Sequence, residues 1–128
     1  MADDHAALLE RVVGLLAQEY EVVARVSNGN ALVDAALTLR PDLVIADISM
    51  PEINGIDAVR QLKDAGSTAT VIFLTIHEDP DFVPECFDAG GLAYVVKSRV
   101  ASDLIPAIRM ALTKHTYVSP NVSRGRTR

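Results

Sequence analysis

The stretch Leu43–Gly55 reads LVIADISMPEING, and its reading decides the fold. An apolar run, Leu43 to Ala46, leads into one carboxylate, Asp47, and the chain then turns through Met50-Pro51 and Asn54-Gly55. A short apolar run bounded by turn residues is consistent with a strand buried on both faces. Asp47 then stands at the carboxyl end of that strand, the edge where open α/β sheets bind ligands. A strand-end Asp also serves as a turn former or as the cap of the next helix. Its role is decided by what else reaches the same edge.

Working outward, the periodicity alternates. Ala6–Glu19 carries Leu8, Leu9, Val12, Val13, Leu15 and Leu16 mostly at helical spacing, with Asp3 or Asp4 as its cap. Tyr20–Val26 is a β-branched run and reads as a strand. Asn28-Gly29 marks a turn, and Ala31–Leu39 returns to helical spacing until Pro41 stops it. Beyond the central stretch, Ile56–Lys63 is a helix ended by Gly66, and Val71–Ile76 (VIFLTI) is an apolar strand. Asp79-Pro80 opens a helix running to about Ala89, with Pro84 near its first turn and Gly90-Gly91 closing it. Leu92–Val96 is a strand ending at Lys97. Ser102 is read as the cap of a last helix, Asp103 to about Lys114, with Pro106 in or just past its first turn; residues 116–128 read as tail or linker. Strands alternating with helices of this length predict βα units, a parallel sheet and helices on both faces.

Composition bounds the function. The 128 residues suit one domain with a real core, and without Trp that core is aliphatic. A formal net charge of −5 argues against nucleic acid as a partner of this chain. Arg124, Arg126 and Arg128 read as a solvated basic end. A lone cysteine, Cys86, excludes an internal disulfide and fits a reducing, cytoplasmic setting. No apolar run reaches the ~18 residues of a membrane span, and MADDHAALLE has no signal-like core.

Successive apolar strands end in polar residues at one edge: Ile45's at Asp47, Leu74's at Thr75, Val95's at Lys97. Parallel pairing brings an acid, a hydroxyl and an ammonium into one cleft, with Asp3-Asp4 as a further acidic member. Each residue taken singly has an ordinary structural explanation; their shared placement points to chemistry. A carboxylate that accepts a phosphoryl group forms a covalent intermediate. The incoming anion is repelled unless Mg²⁺, held by one or two carboxylates, and a lysine neutralise it. Catalysis is then mostly positioning and charge compensation.

The chain resembles a receiver domain of a two-component response regulator. The motifs are the acidic pair in ADDH, the acceptor loop in DISMPEINGID, the hydroxyl in LTIHED and the lysine in GLAYVVKS. ADDH, LTIHED and TYVSPNVS are most similar to the NarL/FixJ (LuxR-type) subgroup, in which a DNA-binding domain follows the receiver. The resemblance implies a flavodoxin-like (CheY-like) doubly wound parallel sheet over residues 1–117, with 118–128 starting an interdomain linker. It implies Asp47 as phospho-acceptor; Asp3, Asp4, Asp47 and the Ser49 backbone carbonyl as Mg²⁺ ligands; Thr75 and Tyr94 as switch residues; and Lys97 as the phosphate-pairing cation. It further implies a sensor histidine kinase as phosphodonor and no enzyme activity of the chain's own; a homodimer is expected as a further assembly, and no membrane partner.

The sequence departs from this pattern in one large respect. Receivers carry an apolar strand before the acidic pair, and only Met1 and Ala2 precede Asp3 here. The first strand is therefore expected to be missing or replaced, through a start set too late or a rearranged fold, with Thr116–Ser119 as a weak substitute. Weak Mg²⁺ binding and poor phosphorylation follow as expectations. The alternative function is a degenerate receiver used as a phosphorylation-independent interaction or dimerisation module. An enzyme on the same scaffold lacks support, since no glycine-rich phosphate loop or nucleophile–base pair is found. Smaller departures are Ser98 in place of the proline many receivers carry after the lysine, the bulky Ile76, and His77, read mainly as a surface residue with a tuning role in dephosphorylation as the minor hypothesis.

Overall fold

The structure, a computed structural model, describes residues 6–17, 28–48, 54–75 and 82–119. In chain order these form α1 (Ala6–Leu16), α2 (Gly29–Leu39), β1 (Leu43–Asp47), α3 (Gly55–Asp64), β2 (Thr70–Thr75), α4 (Phe82–Asp88), β3 (Ala93–Val96), α5 (Val100–Leu112) and β4 (Tyr117–Val118). A 3-10 turn, Lys97–Arg99, joins β3 to α5. The expected strand Tyr20–Val26 and the helix start at Asp79-Pro80 lie outside the described residues.

The sheet has four strands in the order β1-β2-β3-β4. Every pairing is parallel, with Ile45 opposite Ile72, Phe73 opposite Tyr94, and Tyr94 opposite Val118. Alternate strand residues face opposite sides. Val44, Ala46, Val71, Phe73, Tyr94 and Val96 join a core with Leu32, Val59, Leu62 and Cys86 under α2, α3 and α4. Ile45, Ile72, Leu74, Ala93 and Val95 join a second core with Val12, Leu16, Leu104 and Ile108 under α1 and α5. Helices therefore cover both faces, and the fold is the doubly wound, CheY-like one. Burying each large aliphatic side chain contributes roughly 1.5–3 kcal/mol, so the Val and Ile runs are what hold the sheet between its helix layers.

The local signals act as their chemistry dictates. Asn28 caps α2, its side chain accepting from the Ala31 amide at 2.8 Å. Asn54 caps α3 in the same way through Asp57 at 2.8 Å. Gly66 follows α3 at φ 92°, a conformation that a Cβ disfavours.

The structure corrects the sequence reading in three places. The last helix begins at Val100, not Asp103, because it continues directly from the 3-10 turn. Ser102 is thus inside the helix, where its hydroxyl donates to the Arg99 carbonyl at 3.3 Å and to Asp103 Oδ1 at 3.1 Å, and Pro106 falls in the helix interior. Residues after Thr116 are not simply tail, since Tyr117 and Val118 form a strand and Ser119 is fully buried. That strand lies beside β3, at the edge away from β1, so Thr116–Ser119 does not fill the place next to Leu43–Ala46. Among the described residues, β1 is paired on one side only, with β2.

Candidate functional site

The site forms where β1, β2 and β3 end together. Asp47 closes β1, paired with Leu74, and Thr75 closes β2, paired with Val96. Lys97 follows directly. Asp47 and Thr75 are each 1% exposed. Lys97 Nζ donates to Asp47 Oδ2 at 2.6 Å, across 50 residues of chain. An isolated carboxylate at this depth would be strongly disfavoured; the ammonium compensates its charge.

The backbone around Asp47 is set by α3. The Gly55 amide donates to the Ile48 carbonyl at 2.8 Å, and the Ile48 amide to the Leu74 carbonyl at 3.0 Å. A Cβ at Gly55 would lie 2.0 Å from the Asp47 carbonyl oxygen. Only glycine lets the first turn of α3 approach the strand end this closely. Helix and strand together fix the direction in which the Asp47 side chain leaves the sheet.

Tyr94 lies in β3, fully buried in the core under α2, α3 and α4. The Lys97–Ser98 peptide is trans, as are the other described peptide bonds. Asp3, Asp4, Ser49, Ile76 and His77 lie outside the described residues. Of the four expected Mg²⁺ ligands, only Asp47 is therefore placed. Among the described residues no group of three or more His, Cys, Asp or Glu could hold a metal. A buried carboxylate at a strand end is a hard oxygen donor, and in kind it fits Mg²⁺.

Sequence reasoning missed a second buried carboxylate. Asp103, in the first turn of α5, is 3% exposed. Arg99 Nε donates to its Oδ2 at 2.7 Å and Nη2 to Oδ1 at 3.2 Å, while the Ser119 hydroxyl donates to Oδ2 at 2.8 Å. Burial alone would raise the Asp103 pKa. The hydrogen bonds from Arg99, Ser119 and Ser102, with the Arg99 charge, outweigh it and hold the carboxyl below its ordinary range. The i,i+4 spacing of Arg99 and Asp103 was a visible signal; the partner Ser119 was not, because it arrives through the sheet.

A family model, the response regulator receiver domain, matches residues 1–109. The transcriptional regulatory protein DegU of Brevibacillus brevis is 33% identical over 123 residues, covering 94% of this chain and 52% of that protein. The transcriptional regulatory protein PdtaR of Mycobacterium tuberculosis is 37% identical over 120 residues, covering 93% of this chain and 58% of that protein. This chain thus spans little more than half the length of these relatives. A two-component response regulator of the LuxR family from Aurantimonas sp. SI85-9A1 superposes with a TM-score of 0.90 at 28% identity, covering 96% of this chain and 89% of that one.

Proposed function

The chain belongs to the response regulator receiver family, and on that footing we propose that Asp47 accepts a phosphoryl group from the phosphohistidine of a sensor histidine kinase. The observation that carries this reading is the buried Asp47–Lys97 contact at the shared ends of β1, β2 and β3. An oxygen of Asp47 forms the new O–P bond as the donor's P–N bond breaks, and the imidazole leaves with the bonding pair. Lys97 offers a point charge to the phosphoryl oxygens. Thr75, one residue past Asp47's partner Leu74, donates its hydroxyl to the same group. Mg²⁺, when bound, neutralises phosphoryl oxygens, and Asp47 with Asp3, Asp4 and the Ser49 carbonyl would hold it.

The modification is a local charge change that biases a two-state element. Thr75 and Tyr94 serve as that element, and the outcome is a changed surface for an output domain or a second copy in transcriptional control. The chain acts as a switch in the cytoplasm and turns over no substrate of its own beyond the phosphoryl group. Incubation with a small phosphodonor and Mg²⁺ tests the reading by intact-mass spectrometry. A gain of roughly 80 Da in the wild type, absent in Asp47→Asn, supports it. No gain under saturating donor counts against it.

A further inference from the structure

One short turn joins two buried carboxylates. At the start of the 3-10 turn Lys97–Arg99, Lys97 Nζ holds Asp47 Oδ2 at 2.6 Å. At its end, Arg99 holds both oxygens of Asp103. Asp103 in turn holds the last described segment of the chain, accepting the Ser119 hydroxyl at 2.8 Å.

Ser119 closes the free edge of β3. Its amide donates to the Tyr94 carbonyl at 3.0 Å. Its hydroxyl accepts from the Val96 amide at 3.1 Å. In a regular parallel ladder that amide would go to the Ser119 carbonyl; here the side chain takes the rung. Segment 117–119 is thus fastened to the strand that bears Tyr94 and leads into Lys97.

We propose that the Lys97–Arg99 turn is a lever linking occupancy of Asp47 to the docking of segment 117–119, such that a group added to Asp47 releases the segment. The proposal rests on Asp47 being the acceptor. A phosphoryl group on Asp47 brings new anionic oxygens beside Oδ2, and in the proposal Lys97 Nζ leaves its 2.6 Å contact with Oδ2 for one of them. The 3-10 turn is only three residues long, and in the proposal Lys97 draws its backbone with it and carries the displacement to Arg99. Asp103 then loses its two-point cation, and Ser119 loses the acceptor that orients its hydroxyl under Val96. Release uncovers the edge of β3 that Tyr117 and Val118 now pair with. Coupling of this kind is reciprocal, so weakening the latch must favour occupancy of Asp47.

Amide hydrogen exchange followed by NMR tests this in the whole chain, with beryllofluoride and Mg²⁺ as the phosphoryl mimic. Arg99 is 38% exposed at its side chain, so Arg99→Gln cuts the latch without opening the core; Ser119→Ala is the second variant. Without the mimic, both variants should speed exchange at Val96 by roughly fivefold or more, and the mimic should do the same in the wild type but not in Asp47→Asn. Arg99→Gln should bind the mimic more tightly by a similar factor. Binding of the mimic with unchanged exchange at Val96 and Ser119, or equal affinity in wild type and Arg99→Gln, overturns the lever and leaves the acceptor reading intact. Failure of the wild type to bind the mimic overturns both.

Discussion

Lys97 Nζ lies 2.6 Å from Asp47 Oδ2, with the two side chains 8% and 2% exposed. A pair this deep is not a surface ion pair of negligible worth. Its two members make each other tolerable, and removing one leaves the other's charge uncompensated. Lys97→Met should therefore destabilise the chain by roughly 3 kcal/mol, read as a lowered urea midpoint. The double variant Asp47→Asn/Lys97→Met should recover more than half of that loss. A double variant no more stable than Lys97→Met would show that charge compensation is not what the contact supplies.

Gly55 sets the approach of α3 to the acceptor strand. A methyl group there would meet the Asp47 carbonyl oxygen at 2.0 Å and the Ile48 Cα at 3.2 Å, backbone on both counts. Nothing flexible can yield, so Gly55→Ala must push the helix start or the strand end aside. The expected loss is about 2 kcal/mol or more, together with loss of the mass gain at Asp47. Wild-type stability in Gly55→Ala would mean that the close approach is dispensable.

Acid should weaken the chain through Asp103. Its carboxyl is held below the ordinary value, with burial opposing and the hydrogen bonds from Arg99, Ser119 and Ser102 prevailing. A depressed folded pKa contributes stability that is fully present above the unfolded value, about 3.9, and is lost as pH falls through the folded one. Urea midpoints measured from pH 6 down to pH 3 should fall more steeply in the wild type than in Asp103→Asn, with the difference opening below about pH 4. Parallel profiles would remove Asp103 from the acid response.

Gly14 sits inside α1, with nothing within 4 Å of an added Cβ and an exposed position. Gly14→Ala should stabilise the chain by about 0.5–1 kcal/mol by reducing the freedom of the unfolded state. A calorimetric midpoint raised by a few degrees is the expected result.

Cys86 is fully buried, and burial first, then the charge of Glu85, pushes its thiol up to about 12. The thiolate is the reactive form. A thiol reagent at pH 8 should label Cys86 readily in urea and scarcely in the native chain, which makes it a reporter of opening of the α4 side of the core. Rapid native labelling would show that α4 lifts from the sheet under native conditions.

Much was legible from residue order. Apolar runs at Leu43, Val71 and Leu92 fit strands buried on both faces, and their alternation with segments of helical period points to βα units and a covered parallel sheet. That sheet alone puts Asp47, Thr75 and Lys97 at one edge, because parallel strands share a carboxyl end. Asn28-Gly29 and Asn54-Gly55 read as turns, and in the fold the same asparagine side chains cap α2 and α3, which begin at Gly29 and Gly55.

The tertiary structure decided what depends on partners distant in sequence. Ser102 reads as a cap by identity, yet the chain was already coiled at Lys97, and a cap is needed only where a helix begins. Tyr117–Ser119 carries too short a β-branched run to announce a strand, and it becomes one because β3 offers an open row of donors and acceptors. The buried state of Asp103 likewise follows from Ser119 arriving 16 residues later. The sequence by itself determined which residues meet at the strand ends, since periodicity and chain direction are local properties. Which cation compensates which buried carboxylate, and how the chain's last described segment is fastened beside them, was decided only in the fold, where desolvation makes each pairing obligatory.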